Sequence, residues 1–243
     1  MKHLKLFFIF SFTLLFIAGC SEDTSEIAGT GDDPADEIYL EKLGDVTAEF
    51  EITIENLTPL TGDGSSQPLS PPVIATHNAS LRIFKLNHKA SDELHQVAED
   101  AVNDPLVQRL ENSARVFNVV TGNDVILPGS SATYTIYASS YFVKLSFVSM
   151  LVNTNDGFTG IVNARLPKNG SVTYYTDVYD AGTEENTELI AHIPGPCCGN
   201  PLVRVPTQEK IQYHPGILGI GDLDPAVYNW TGKGAKISIT RVN

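Results

Sequence analysis

The chain has 243 residues, with 29 Asp and Glu against 16 Lys and Arg, so its formal charge at neutral pH is −13. That balance excludes nucleic acid as a partner, because a binding face must carry an excess of Lys and Arg to displace phosphate counterions. Three cysteines are too few for a disulfide framework, while 42% apolar residues over this length can fill one well-buried core.

The chain opens "MKHLKLFFIFSFTLLFIAGC", with Lys2 and Lys5, an uncharged apolar run over residues 6–17, and small residues before Cys20. The run is too short for a comfortable membrane span and has the layout of a secretory signal. Ala18-Gly19-Cys20 resembles a bacterial lipobox, which makes residues 1–19 a lipoprotein-type signal peptide and Cys20 the acylated first residue of the mature chain. Each buried methylene contributes about 0.8 kcal/mol, so several acyl chains on one cysteine hold a protein firmly to a lipid bilayer. Ser21 in place of aspartate after the cysteine favours the outer membrane or cell surface as the destination. Cleavage removes two lysines and no acids, taking the formal charge from −13 to −15. Residues 20–43 are acidic and poor in large apolar side chains, as expected of a tether.

From residue 44 the pattern changes. "VTAEFEITIENL" alternates strictly, with Val46, Ala48, Phe50, Ile52 and Ile54 on one face and Thr or Glu on the other, which predicts a strand with one buried face. Further strands are expected over 81–84, 115–120, 132–137, 142–152, 160–165, 171–178, 210–213 and 235–242, most of them separated by Gly, Pro, Asn or Asp. One interval departs from this: "SDELHQVAEDAVNDPLVQRLEN" spaces Leu94, Val97, Ala98, Ala101 and Val102 as on a helix, with Ser91 as N-cap and Pro105 dividing the segment in two. Short strands in that number predict an all-β, antiparallel β-sandwich with one or two short helices inserted. Residues 44–243 contain no interior linker and read as a single domain.

The remaining cysteines, Cys197 and Cys198, are adjacent in "GPCCGN" and could close only a strained ring, so they are either a vicinal disulfide or two thiols in a turn. The stretch "DVYDAGTEENTE" (177–188) places five carboxylates in twelve positions with no Lys or Arg among them. Like charges this close require solvent, hydrogen bonds or a cation to offset them. Calcium takes six to eight oxygens from carboxylates, amides and main-chain carbonyls on flexible loops, and acids set among Gly, Asn and Thr supply them. No EF-hand spacing is present, so such a site would be assembled from separate loops.

Three segments, "LSFVSMLVNTNDGFTG" (145–160), "YDAGTEENTELIAHIPGP" (179–196) and "YHPGILGIGDL" (213–223), resemble the spondin N-terminal domain, the module of the F-spondin and mindin type. "LSPPVIATHN" (69–78) and the closing "KISITRV" extend the likeness over most of residues 46–242. The resemblance implies a C2-like sandwich binding Ca2+ between loops at one end, through an aspartate of one loop and two acids four apart in the next. The matching metal ligands here are Asp156, Asp180 and Glu184. The last is glutamate where the animal proteins have aspartate, and Asn155 stands where they have proline. It further implies a non-enzymatic adhesion or recognition module, with a glycan or surface protein as partner. Glu185 and Glu188 are then surplus acids expected to face water or to assist in outer contacts.

Other readings of the residues are more ordinary. His192 and His214 could recruit zinc, but a lone histidine beside proline is more often a hydrogen-bonded turn residue; His77 and Trp230 are expected to be structural. A carboxylate pair, Asp156 with Glu184 or Glu188, could act as acid and base on a glycosidic bond. Such chemistry requires a shielded cleft, and Gly-rich loops at a sandwich tip are expected to be open. No Gly-x-Ser-x-Gly elbow, Walker loop or His-Glu-x-x-His motif occurs.

Overall fold

The computed structural model describes residues 48–61, 66–195 and 203–242. The signal segment, Cys20, the tether, Val46 and the Cys197-Cys198 pair lie outside these residues.

Two antiparallel sheets face one another. Strands β1 (Ala48–Asn56), β4 (Ser131–Ala138), β7 (Ser171–Thr176) and β10 (Ala235–Arg241) form a four-stranded sheet in the order β4-β1-β10-β7. The second sheet has six strands: β2 (Val73–His77), β3 (Val116–Thr121), β5 (Lys144–Met150), β6 (Gly157–Arg165), β8 (Val178–Asp180) and β9 (Gln212–Tyr213), in the order β3-β2-β5-β6-β8-β9. The chain is thus an all-β sandwich.

The alternation in β1 sets its register. Phe50, Ile52 and Ile54 are buried, and Ile52 and Ile54 face Ile239 and Ile237 of β10 while Phe50 faces Ile136 of β4. Full burial of each such side chain contributes roughly 1.5–3 kcal/mol. A slip of one residue would turn that row to solvent and bring the outward glutamates in. On the outer face Glu55 pairs with Lys236 at 2.7 Å and Thr53 bonds Thr133 at 2.8 Å.

The helical interval folds as two helices, α1 (Asp92–Asp100) and α2 (Asp104–Glu111), with Pro105 in the first turn of α2 and the Ser91 hydroxyl accepting from Leu94 N at 3.3 Å. Proline belongs there because its missing N–H would be unpaired in a first turn anyway. Leu94, Val97, Ala98, Leu106 and Leu110 pack on the outer face of the six-stranded sheet, making a second core beside the one between the sheets. A short α3 (Pro225–Tyr228) precedes the buried Trp230, which belongs to the inter-sheet core as expected.

Three strand expectations change. Residues 81–84 form no ladder: Leu81 and Ile83 bury into the helix-side core, but the segment is a bend. Residues 171–178 are two strands in different sheets, because the chain crosses between sheets at Asp177 with Thr176 and Val178 both turned inward. Strand β2 was not expected at all. All five of its residues are buried, one face against each core, so it lacks the alternation that marks a half-exposed strand.

Candidate metal centre

The pairing of β6 with β8 builds the acidic loop end. Gly157 opens β6 opposite Asp180, the last residue of β8, which brings Asp156 beside Asp180 although they lie far apart in the chain. The Ala181 N–H donates to Asp156 O at 3.2 Å. After Asp180 the chain turns sharply at Gly182, with φ of +70°; a Cβ there would lie 2.8 Å from Glu209 C and 3.0 Å from Lys210 N. Only glycine meets both demands. That turn folds residues 183–188 back over Asp156.

The structure therefore gathers the three expected ligands at one end of the sandwich, and each is buried, at no more than 3% exposure. Asp156 Oδ2 accepts from Thr183 N at 2.8 Å, Glu184 N at 3.1 Å and Thr183 Oγ1 at 3.3 Å. Asp180 Oδ1 accepts from Gly182 N at 2.7 Å, and its Oδ2 from Asn186 Nδ2 at 2.7 Å and Gln212 Nε2 at 3.3 Å. Glu184 Oε1 accepts from Asn155 Nδ2 at 3.2 Å. The other oxygens of Asp156 and Glu184, Oδ1 and Oε2, are buried without a hydrogen-bond partner. Glu184 Oε2 has Arg204 Nη1 at 3.9 Å, the outer limit of an ion pair.

This shielding raises the pKa of two of the acids. Burial, then the neighbouring Asp180 charge, pushes Asp156 up to about 7 against the bonds to its Oδ2. Burial pushes Glu184 up to about 8, with Glu99 and Asp156 adding to the rise and Asn155 and Arg204 opposing it. The expectation of open loops is corrected here: the loops are glycine-rich, but they fold inward and cover their acids.

Glu188 is a second correction. It is buried, with Oε1 accepting from Leu218 N at 2.6 Å and Oε2 from Gly219 N at 2.7 Å and Ile220 N at 2.9 Å. Three successive amides form an anion cradle that offsets its charge through the backbone. Glu185, by contrast, is exposed as expected. Arg204 was not singled out from the sequence; it reaches Glu99 at 3.3 Å and also pairs with Asp100, joining α1 to the acidic loop.

The histidines take the ordinary roles. His77 is buried, with Nδ1 2.7 Å from Asn78 O and Nε2 2.7 Å from Ser146 Oγ. His192 Nδ1 bonds Thr187 Oγ1 at 2.9 Å. His214 Nδ1 accepts from Gly216 N at 3.0 Å and its ring packs on Trp230 with centroids 5.0 Å apart, burial lowering its pKa to about 4.

Among the described residues, no three of His, Cys, Asp and Glu stand close enough to hold a metal unaided. The unbonded buried groups at this end are two carboxylate oxygens, Asp156 Oδ1 and Glu184 Oε2, and one nitrogen, His214 Nε2. The carboxylates, with the main-chain and amide oxygens of two loops, fit calcium in kind, whereas a single nitrogen is a poor set for zinc, which favours nitrogen and sulfur. Glu188 is held by three amides, and a groove of about 420 Å³ along β6, β7 and β8 is lined by none of Asp156, Asp180, Glu184 and Glu188.

A comparison with family models matches residues 65–192 to the spondin N-terminal domain, Spondin_N. No curated protein matches the chain. The matched stretch covers β2 to β8, with both acidic loops and the helical insertion, and is more than half of the chain. The protein belongs to the spondin N-terminal domain family, a family of extracellular recognition modules not known for enzymes.

Proposed function

We propose that this protein is a calcium-binding adhesion or recognition module displayed at the cell surface on a lipid attached to Cys20. The observation that carries the calcium reading is the pair of buried carboxylate oxygens without a hydrogen bond, Asp156 Oδ1 on one loop and Glu184 Oε2 on the next. Burying a charge is costly unless it is paired, and these two oxygens are the part of the loop's charge that amides do not satisfy. Asp156, Asp180 and Glu184 would hold the ion, which would supply positive charge between two loops that otherwise repel. The chain's own part is to present those oxygens: Thr183 and Glu184 amides fix Asp156, and Gly182, Asn186 and Gln212 fix Asp180. No general acid, base or nucleophile is assigned.

The test is a calcium titration of the full chain in detergent, by calorimetry and thermal melting, beside Asp180→Ala. Saturable binding stabilises the native state by mass action, so melting should rise with calcium in the parent chain and stay flat in the variant. No binding at millimolar calcium would overturn the metal site. Glycan-array binding that disappears with chelator supports recognition; a chelator effect on melting alone would leave calcium only rigidifying the loops of a structural sandwich.

A further inference from the structure

Away from the acidic loops, the bend at 81–86 lies along β6, β7 and β8 and leaves a groove of about 420 Å³. That is at the lower end of the usual range for small-ligand sites, about 300–1,000 Å³. Arg82, Phe84, Lys85, Asn163, Tyr175 and Tyr179 carry its chemistry. Both cations are exposed, and neither forms an ion pair among the described residues, on a protein whose formal charge is −13. Asp177, the acid lining the groove, is joined to Lys233 at 2.5 Å, so the uncompensated charge there is positive.

The guanidinium is held in place. Arg82 Nη1 donates to Ala79 O at 2.6 Å and Leu81 O at 2.7 Å. The Asn163 amide, oriented with its oxygen toward Arg82, accepts from Nε at 3.1 Å and Nη2 at 3.2 Å. A β-bulge sets Asn163 there. Ser146 of β5 faces both Val162 and Asn163, because its neighbours Leu145 and Phe147 pair with Ala164 and Ile161. Asn163 takes the left-handed conformation, φ +61°, and its N–H donates to Ser146 Oγ at 3.0 Å. Bulges re-aim side chains in this way, and asparagine tolerates the backbone better than most residues. Beside these polar groups lie aromatic side chains: Tyr175 is 58% exposed, whereas the Tyr179 ring stands between Phe158 and Tyr213, with centroids 5.4 and 5.5 Å away, and packs against Phe84 at 5.0 Å.

We propose that this groove binds an acidic saccharide, a sugar bearing carboxylates, with Arg82 and Lys85 meeting the charge and the exposed ring of Tyr175 meeting an apolar sugar face. A pyranose ring offers what these groups match: one apolar face, a rim of hydroxyls, and a volume that a groove of this size takes as one or two rings. The bonds to Ala79, Leu81 and Asn163 take four of the five guanidinium N–H groups, so Arg82 offers a carboxylate its charge and one charge-assisted bond, which is stronger than a neutral one. The proposal rests on the recognition reading above and names its ligand class.

The test titrates the full chain in detergent with a hyaluronan tetrasaccharide and, as the neutral control, chitotetraose, and repeats both with Lys85→Glu and Tyr175→Ala. These two side chains are exposed, so melting should be unchanged in the variants. The expected result is saturable binding of the acidic sugar alone, weakened about tenfold or more by Lys85→Glu, a change of roughly 1.4 kcal/mol. Binding that survives both variants, equal binding of chitotetraose, or no binding of the hyaluronan fragment would each overturn the proposal. Running parent and Lys85→Glu on one glycan array separates the two readings. Ligands kept by the variant sink the groove and leave recognition standing, whereas a silent array removes glycan recognition altogether.

Discussion

Raising the pH from 7 to 8.5 in chelator should destabilise the native chain, and the acidic loop end sets the size of the effect. Unfolded Asp and Glu have pKa values near 4 and carry no proton anywhere in this window. In the folded chain Asp156 keeps its proton to about 7 and Glu184 to about 8. The native state therefore binds more protons than the unfolded state, and stability falls as pH rises. Each retained proton is worth about 1.4 kcal/mol per pH unit. Asp156 is half titrated at the start and Glu184 titrates in mid-window, so the loss sums to roughly 1–2 kcal/mol. The lowered values of His77 and His214 have the opposite sign, adding stability as pH climbs toward 6.5, so that contribution is nearly complete before the window opens.

Urea midpoints measured at the two pH values in chelator read the effect directly. With calcium present the trend should flatten or reverse, because a bound ion requires the deprotonated carboxylates. Glu184→Gln should remove most of the slope, since that group titrates inside the window. Stability that stays level or rises with pH in chelator, or a slope unchanged by Glu184→Gln, would refute the reasoning.

Two further substitutions separate the neutralising devices. Glu188→Gln removes the charge that the 218–220 amides surround; hydrogen bonds to charged groups contribute about 1.5–3 kcal/mol each, and water can replace part of them at these exposed residues. A stability loss of about 1–3 kcal/mol with calcium affinity unchanged is expected from melting and calorimetry, and a large affinity change would place Glu188 in the metal shell instead. Arg204→Gln takes a cation from Glu99, Asp100 and Glu184, so stability in chelator should fall by about 1–3 kcal/mol while the melting shift caused by calcium grows. A smaller shift would show that Arg204 helps to bind the ion rather than competing for the same charge.

Much of the sandwich was legible because one-sided burial writes a period of two into the chain, as in β1, β4 and β10. The failures have the same physical root. Strand β2 is covered on both sides and carries no alternation, while 171–178 alternates through a sheet-to-sheet crossing that local pattern cannot register. The helical interval was readable because Ser91 and Pro105 are helix-start residues whatever lies around them. Of the site, the acids were visible as composition, but not their burial. Glu188 looks like any surplus acid until Gly216 and Gly219 turn the amides of 218–220 toward it, and its own left-handed backbone, φ +57°, has no mark in the sequence. Gly-rich "GILGIG" was the available hint. Arg204 lies some twenty residues beyond the acidic loop, and nothing in its neighbours announces a contact with α1.

Five carboxylates in twelve residues are thus neutralised in several ways, and the differences limit what calcium can do. Glu185 has solvent, Asp177 has Lys233, Glu188 and Asp180 have N–H donors, and Glu184 is satisfied on one oxygen by Asn155, as the neighbouring Asp156 is on one of its own by Thr183 and Glu184 amides. The remaining debt is confined to Asp156 Oδ1 and Glu184 Oε2, which stand on the turn before β6 and on the loop after β8. A cation there would join those two loops and leave both hydrophobic cores untouched, since neither core contains a residue of 182–188. Its action would fall on loop geometry and, through β8, on Asp177 and Tyr179 of the neighbouring groove. The short strand β8 has the proposed metal ligand at its last residue and Tyr179, which lines the groove, one residue earlier, so anything that fixes Asp180 also limits where Tyr179 can stand.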